Sequence, residues 1–377
     1  MNEGDDEPLL LTPGPLTTSR TVRNAMLRDW GSRDPAFIDM TARVRGRIAD
    51  LAHAAETHVC VPIQGSGTFA VEATIGTVVP RDGKILVLIN GEYGRRIAHI
   101  AEIIGRAHVV LETDEDVPPT AEAVAAALAE DPSITHVVLV HCETTSGILN
   151  PLEEIAEVVA RAKRFLIVDA MSSFAILPID ARRVRFAALA ASSNKGIEGT
   201  PGLGFAIVAN DVIGSCAGNA PSLSLDLADQ HRGFEANGQW RFTPPTHVVA
   251  ALDRALDELA EEGGIEARFA RYRANCDILV EGMRAMGFRT FLSDNLQAPT
   301  IVTFHMPRDP NWDFGRFYGL MRERGFIIYP GKLTRKDSFR IGCMGRLSAT
   351  DMRRALDAVR SSLSAMGLAH QVSPHRE

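Results

Sequence analysis

Residues 188–205 read ALAASSNKGIEGTPGLGF. A run of small apolar residues ends in Ser192, Ser193 and Asn194; Lys195 follows, and then a glycine-rich stretch. Lysines usually go to the surface because the ammonium needs water. This one stands where an apolar strand ends. Partial burial there lowers its pKa from ~10.4 and frees the lone pair for a Schiff base. Ser192, Ser193 and Gly196 leave room for a bulky adduct. The plain alternative is a lysine reaching solvent from a loop.

Outward from this stretch, short apolar runs alternate with helical patterns from about Thr57 to Asn210. The runs are THVCVPI, KILVLIN, HVVLE, HVVLVH, FLIVDA, FAALAAS and GFAIVAN. Continuous apolar strands separated by helices imply an α/β fold with a mainly parallel sheet covered on both faces. Ligands of such sheets bind outside the carboxyl ends of the strands. After Asn210 the chain reads as irregular to about Pro245, and two long helical patterns follow. The remainder reads strand–strand–helix–strand–strand–helix, from FRTFL onward, as a smaller α+β unit. The expected division is an N-terminal segment 1–20 lining a site, a large unit 21–264, a small C-terminal unit 265–368 and a loose tail 369–377.

Composition narrows the function classes. A net charge of −7 argues against a nucleic-acid surface as the main partner. The basic runs Arg43–Arg47 and Ala181–Arg185 read as solvated faces. The five cysteines are scattered, with no metal-ligand spacing, which suggests reduced thiols in a cytoplasm and no metal. The acidic N-terminus is not a signal peptide, and no segment approaches the length needed to span a bilayer, so no membrane partner is expected.

Three further groups could act with Lys195. QGSGTFAVEA (Gln64–Ala73) joins a strand to a helix, where glycines and the helix N-terminus suit a phosphate, with Ser66 and Thr68 as added donors. The same stretch, as Gly65-x-Gly67-x-x-Ala70 with Glu92 beyond, also fits a dinucleotide fingerprint, or a tight turn with no ligand. Asp169 ends the run FLIVD, where a carboxylate needs a cationic or hydrogen-bonding partner; it reads as the counter-ion of a protonated ring, or as a helix cap. Arg340 in DSFRIGC offers a fork for a carboxylate, or a surface ion pair. A phosphate cradle, a ring counter-ion, a Schiff-base lysine and a carboxylate clamp together match pyridoxal phosphate acting on amino or keto acids.

LLLTPGPLTTSRTV, QGSGTFAVEA, HCETTSGILNP, VDAMSSF, SSNKGIEGTPG, SLSLDL, WRFTPPTH, YPGK and FRIG also carry a resemblance that covers roughly Leu9 to Gly367. The chain resembles the fold-type I, class V pyridoxal-phosphate aminotransferases. The resemblance implies that Lys195 holds the cofactor and moves a proton, and that Asp169 pairs with the ring nitrogen. Ser66, Gly67 and Thr68 would hold the phosphate, with Ser193 and Asn194 as minor contacts. Tyr93 and Met171 would pack on opposite ring faces, with Thr144 beside them. Trp240 and Thr243, in WRFT, would reach the phosphate of a neighbouring subunit in a homodimer. Arg340 would bind a keto-acid carboxylate, and the loop around Gly14 would line the substrate pocket.

The implied substrates are 2-aminoethylphosphonate and pyruvate, with alanine or serine and glyoxylate as the alternative pair. The phosphonate cation is open among Arg20, Lys332, Arg335 and Lys336. Two departures stand out. Pro221 occupies a place where relatives often carry a basic residue. Gly196 and Glu198 stand where they often carry cysteine and glutamine, and Glu198 near a phosphate would be unfavourable unless it points away.

Overall fold

The computed structural model describes residues 7–329 and 334–368. Its centre is a seven-stranded sheet whose strands lie in the order 58–64, 203–209, 188–192, 165–169, 136–140, 84–89 and 107–112. The strand Leu203–Ala209 runs antiparallel to both neighbours, and the remaining pairs are parallel. All seven expected strands form. His136–Val140 and Ala188–Ser192 are buried along their whole length, which is why they read as unbroken apolar runs.

The strand pair that matters most is Phe165–Asp169 beside Ala188–Ser192, with Asp169 opposite Ala190. Asp169 ends its strand and Lys195 stands three residues beyond the end of the next, so both groups arrive at the carboxyl edge. Opposite this edge the helix Gly67–Val78 begins, and beside it the helix Glu92–Ile103.

The last third of the chain forms its own core. Ile301–His305 pairs antiparallel with Ser338–Gly342, covered by the helices Gly264–Ala285, Phe314–Glu323 and Ala349–Ala365. Phe288, Phe304, Phe317, Phe339 and Trp312 fill the space between, with rings 5.0–6.3 Å apart. The helix Ala349–Ala365 starts on a reciprocal cap between Ser348 and Asp351.

Three sequence expectations change. FRTFL does not form a strand: it contributes one bridge, Thr290 to Phe304, before the chain turns away at Ser293. Leu9–Leu11 was not expected to pair, yet it adds a parallel strand to Phe326–Ile328 and buries Leu11 in the C-terminal core. The stretch read as irregular contains the helices Asn210–Ser215 and Leu227–Asn237. The second starts where Asp226 accepts from the Asp229 N–H (3.0 Å) and stops at Gly238, whose φ is 72°.

Candidate active site

A cavity of about 620 Å³ opens at the carboxyl edge of the sheet. That is within the ordinary range for small-molecule sites, roughly 300–1,000 Å³. Its walls include Gly14, Ser66, Gly67, Thr68, Tyr93, Arg96, Asp169, Met171, Asn194, Lys195 and Tyr329, so most residues singled out from sequence meet in one place.

Lys195 Nζ donates to the Pro13 carbonyl. Enclosure lowers its pKa from 10.5 to about 8; Asp169 opposes that shift and Arg340 adds to it. Gly14 makes room for the ammonium. Its φ is +118°, in the region that favours glycine, and a Cβ there would lie 2.8 Å from Nζ. Asp169 is buried and accepts from the Met171 N–H (3.0 Å). Burial pushes its carboxyl up to about 6, against that hydrogen bond.

Ser66 precedes the helix Gly67–Val78 without capping it through its side chain, leaving the first N–H groups at the cavity wall. Arg340 is 4% exposed and donates from Nη1 to the Thr144 carbonyl (2.8 Å). Its guanidinium lies 5.2 Å from the Tyr329 ring centroid, and its Nε is buried without a partner. Neither Arg340 nor Thr144 lines the cavity wall: both are buried behind it, Thr144 meets Arg340 through its backbone carbonyl, and Arg340 reaches Lys195 through its charge.

Several expectations are corrected. Ser193 does not line the cavity: it is fully buried and its hydroxyl donates to the Thr200 (2.6 Å) and Leu203 (3.1 Å) carbonyls, bracing the loop. Its neighbour Ser192 lines the wall instead, with an unpartnered Oγ. Of the proposed phosphonate cations, Arg20 lines a different, charged cavity with Arg254 and Glu258. Arg335 pairs with Glu112 (2.8 Å), and Lys336 with Asp116 (3.4 Å). Lys332 lies outside the described residues. The guanidinium that does line the site is Arg96, which the sequence reading missed. It donates to Thr68 Oγ1 (3.3 Å) and stands 4.8 Å from the Tyr93 ring centroid. Its only signal was its place in EYGRR, one helical turn after Tyr93. The expectation for Trp240 and Thr243 concerns the site of a neighbouring subunit and is not corrected: neither lines the cavity of its own chain, and Trp240 Nε1 donates to Thr41 (3.2 Å). Pro221 rests against Gly76, also away from the cavity.

Glu198 points away from the cavity. It sits at φ 62° in the Lys195 loop and accepts from Tyr272 Oη (2.5 Å) and Arg271 Nη2 (2.8 Å). Fully buried Arg268 donates to the Gly196 carbonyl (2.5 Å) and to Glu262 (2.7 Å), and Arg271 also pairs with Glu262. Tyr272 Oη accepts from the Gly345 N–H (3.1 Å), just past the Arg340 strand. Two arginines and two glutamates thus tie the lysine loop to the helix Gly264–Ala285.

A mainly parallel sheet that brings an enclosed lysine and a buried carboxylate to its carboxyl edge, with a helix start opposite, is the frame of a fold-type I aminotransferase. This chain belongs to the class-V aminotransferases, whose family model matches residues 19–332. It is 55% identical over 363 residues to a Pseudomonas aeruginosa protein named 2-aminoethylphosphonate–pyruvate transaminase, covering 96% of this chain and 98% of that protein. It is also 55% identical over 371 residues to 2-aminoethylphosphonate–pyruvate transaminase 1 of Cupriavidus pinatubonensis, covering 98% of each. Among solved structures, pyridoxamine–pyruvate aminotransferase from Mesorhizobium loti superposes with a TM-score of 0.88 at 25% identity, covering 98% of this chain and 95% of that one.

A class-V aminotransferase works with pyridoxal phosphate, and the residues present fit it. A buried carboxylate awaits a cation, an amine of lowered pKa stands across from it, and the hydroxyl of Ser192 and the Nε of Arg340 are buried without partners.

Proposed function

We propose that this chain transfers the amino group of 2-aminoethylphosphonate to pyruvate, giving phosphonoacetaldehyde and alanine. The observation that carries the chemistry is Lys195 set across from Asp169 at the sheet edge. The choice of donor and acceptor is supported by near-full-length identity of 55% to proteins named for that reaction. Pyridoxal phosphate, when bound, supplies the electron sink. Every other task falls to the chain. With a pKa near 8, roughly a tenth of Lys195 is free amine at neutral pH, against under a thousandth for an ordinary lysine. That amine holds the cofactor's aldehyde at rest. Once free, the same amine would give and take a proton at the substrate carbon. Asp169, as a carboxylate, would pair with a protonated ring nitrogen and favour that protonated form. Ser66, Gly67 and Thr68 would hold the phosphate, Tyr93 and Met171 would pack on the ring, and Arg340, with its unpaired Nε, would bind the pyruvate carboxylate. Arg96 brings to the wall a guanidinium suited to phosphate or phosphonate oxygens.

The test is a half-reaction. Holoenzyme mixed with 2-aminoethylphosphonate and no pyruvate loses the visible absorbance band of its bound cofactor, and pyruvate restores it. A band that persists with 2-aminoethylphosphonate but bleaches with alanine overturns the phosphonate assignment and leaves the cofactor reading intact.

The working unit is a homodimer with shared sites. Phe69, on the first turn of the phosphate helix, is 50% exposed; Phe242 of WRFT is 47% exposed and lines the same groove, with Leu223 (74%) in the preceding loop. So much exposed apolar surface beside the site suits a second copy. Sedimentation under assay conditions gives a dimer mass; a fully active monomer overturns it. Five buried, unpaired cysteines support a reducing, cytoplasmic setting, and among the described residues no helix is long and apolar enough to cross a membrane.

A further inference from the structure

Glu143 is fully buried beside the site and takes no part in the chemistry above. It lies in the short hairpin that follows the strand His136–Val140. Its Oε1 accepts from the N–H (3.0 Å) and hydroxyl (2.6 Å) of Thr145, and its Oε2 from the N–H groups of Tyr93 (3.1 Å) and Gly94 (3.2 Å). The Thr145 hydroxyl in turn accepts from the Glu92 N–H (2.9 Å). The first three N–H groups of the helix Glu92–Ile103 are therefore satisfied from another element.

Gly91, at the helix's own cap position, supplies no side chain, and it could not carry one: a Cβ there would lie 2.4 Å from Glu143 Cδ. Three of the carboxylate's four partners are backbone N–H groups, which can only donate, so a protonated carboxyl would find an acceptor only in the Thr145 hydroxyl and would lose the bond to one or more of those N–H groups. Burial pushes the group's pKa up, and the hydrogen bonds from Thr145, Gly94 and Tyr93 pull against that rise. The positive end of the helix dipole favours the same anion.

This anchor lies between two active-site groups. On one side it grips the backbone of Tyr93. On the other, the residue between Glu143 and Thr145 is Thr144, whose carbonyl receives Arg340 Nη1 at 2.8 Å. We propose that Glu143 is a positioning residue: its buried carboxylate sets Tyr93 at the cofactor ring and, through the 143–145 turn, sets the Thr144 carbonyl that aims Arg340 at the keto acid. The inference rests on the cofactor and carboxylate roles given above.

Glu143→Gln tests it. The amide keeps the shape but turns an NH2 toward N–H donors, removing one acceptor oxygen and the two hydrogen bonds it takes. Thr145→Val is the milder variant: the carboxylate stays and only the hydroxyl link is lost. Each holoenzyme is read by far-UV circular dichroism for folding, by visible circular dichroism for the seating of the cofactor ring, and by pyruvate KM against kcat. The expected result is a folded Glu143→Gln protein with altered visible ellipticity. Its pyruvate KM rises about 10- to 100-fold, the range for displacing a bound group by up to ~1 Å. Thr145→Val moves both readouts the same way by less. A folded Glu143→Gln protein with wild-type visible ellipticity and pyruvate KM overturns the proposal. If Glu143→Gln does not fold, Thr145→Val decides on the same two readouts, and wild-type values there overturn it. A wild-type protein with no cofactor band overturns the cofactor reading itself, and this proposal with it.

Discussion

Lys195→Ala lowers turnover by at least about 10⁴-fold, because a positioned acid–base group alone contributes roughly 10²–10⁴ and the proposed function makes this residue the covalent anchor as well. No other amine is placed to substitute: among the described residues, the other cationic side chain lining the cavity is Arg96, and a guanidinium stays protonated. Asp169 and the helix start at Ser66 still line the cavity, so the variant keeps the proposed cofactor site without the group proposed to work it. The fold survives. The one hydrogen bond lost is that from Nζ to the Pro13 carbonyl, and the enclosure that depresses the lysine's pKa shows that its charge is held there at some cost. The denaturation midpoint therefore stays within about 1 kcal/mol of wild type. Steady-state rates and urea unfolding on the same preparation check both halves. Near-normal rates remove Lys195 from the chemistry. Lost activity with a collapsed midpoint makes it a structural residue.

Much of this was legible in the sequence, for a physical reason. Strands buried on both faces must be apolar nearly throughout, so six of the seven runs from His58 to Ala209 announced the sheet; Ala107–Glu112, at its edge, is largely uncovered and read as a strand from its β-branched run. A carboxylate or an amine at the end of such a run can go only to the sheet's edge, so Asp169 and Lys195 could be placed together before any coordinates. The helix Leu227–Asn237 was missed because its surface is largely polar, although Asp226 and Gly238 marked both ends.

Arg96 was missed because an arginine beside an arginine on a helix reads as solvated. Arg335 and Lys336 stood among the open candidates because their partners, Glu112 and Asp116, lie over 200 residues away in the chain. Glu198 raised the right question: a carboxylate in the lysine loop had to point elsewhere. What it meets, Arg271 and Tyr272 on a helix some 70 residues later, is a tertiary fact.

The same network carries the second large expected effect. Arg268→Met lowers the unfolding free energy by about 3–5 kcal/mol, the usual cost of removing one partner from a buried charge cluster. Arg268 is fully buried and Glu198 nearly so, and Glu262 is held below its usual carboxylate range because hydrogen bonding and charge from Arg271 and Arg268 outweigh the upward push of burial. Without Arg268, two carboxylates share Arg271 alone, and the Gly196 carbonyl loses its donor. Methionine roughly keeps the volume, so the loss reports charge and hydrogen bonding, with little contribution from an empty space. Adding Glu198→Gln removes one of the stranded carboxylates and recovers part of the loss, a coupling of about 0.5–3 kcal/mol in a double-mutant cycle. Chemical denaturation of the four proteins measures it. An Arg268→Met midpoint within about 1 kcal/mol of wild type, or strict additivity of the two changes, means the cluster is solvated and does not brace the lysine loop.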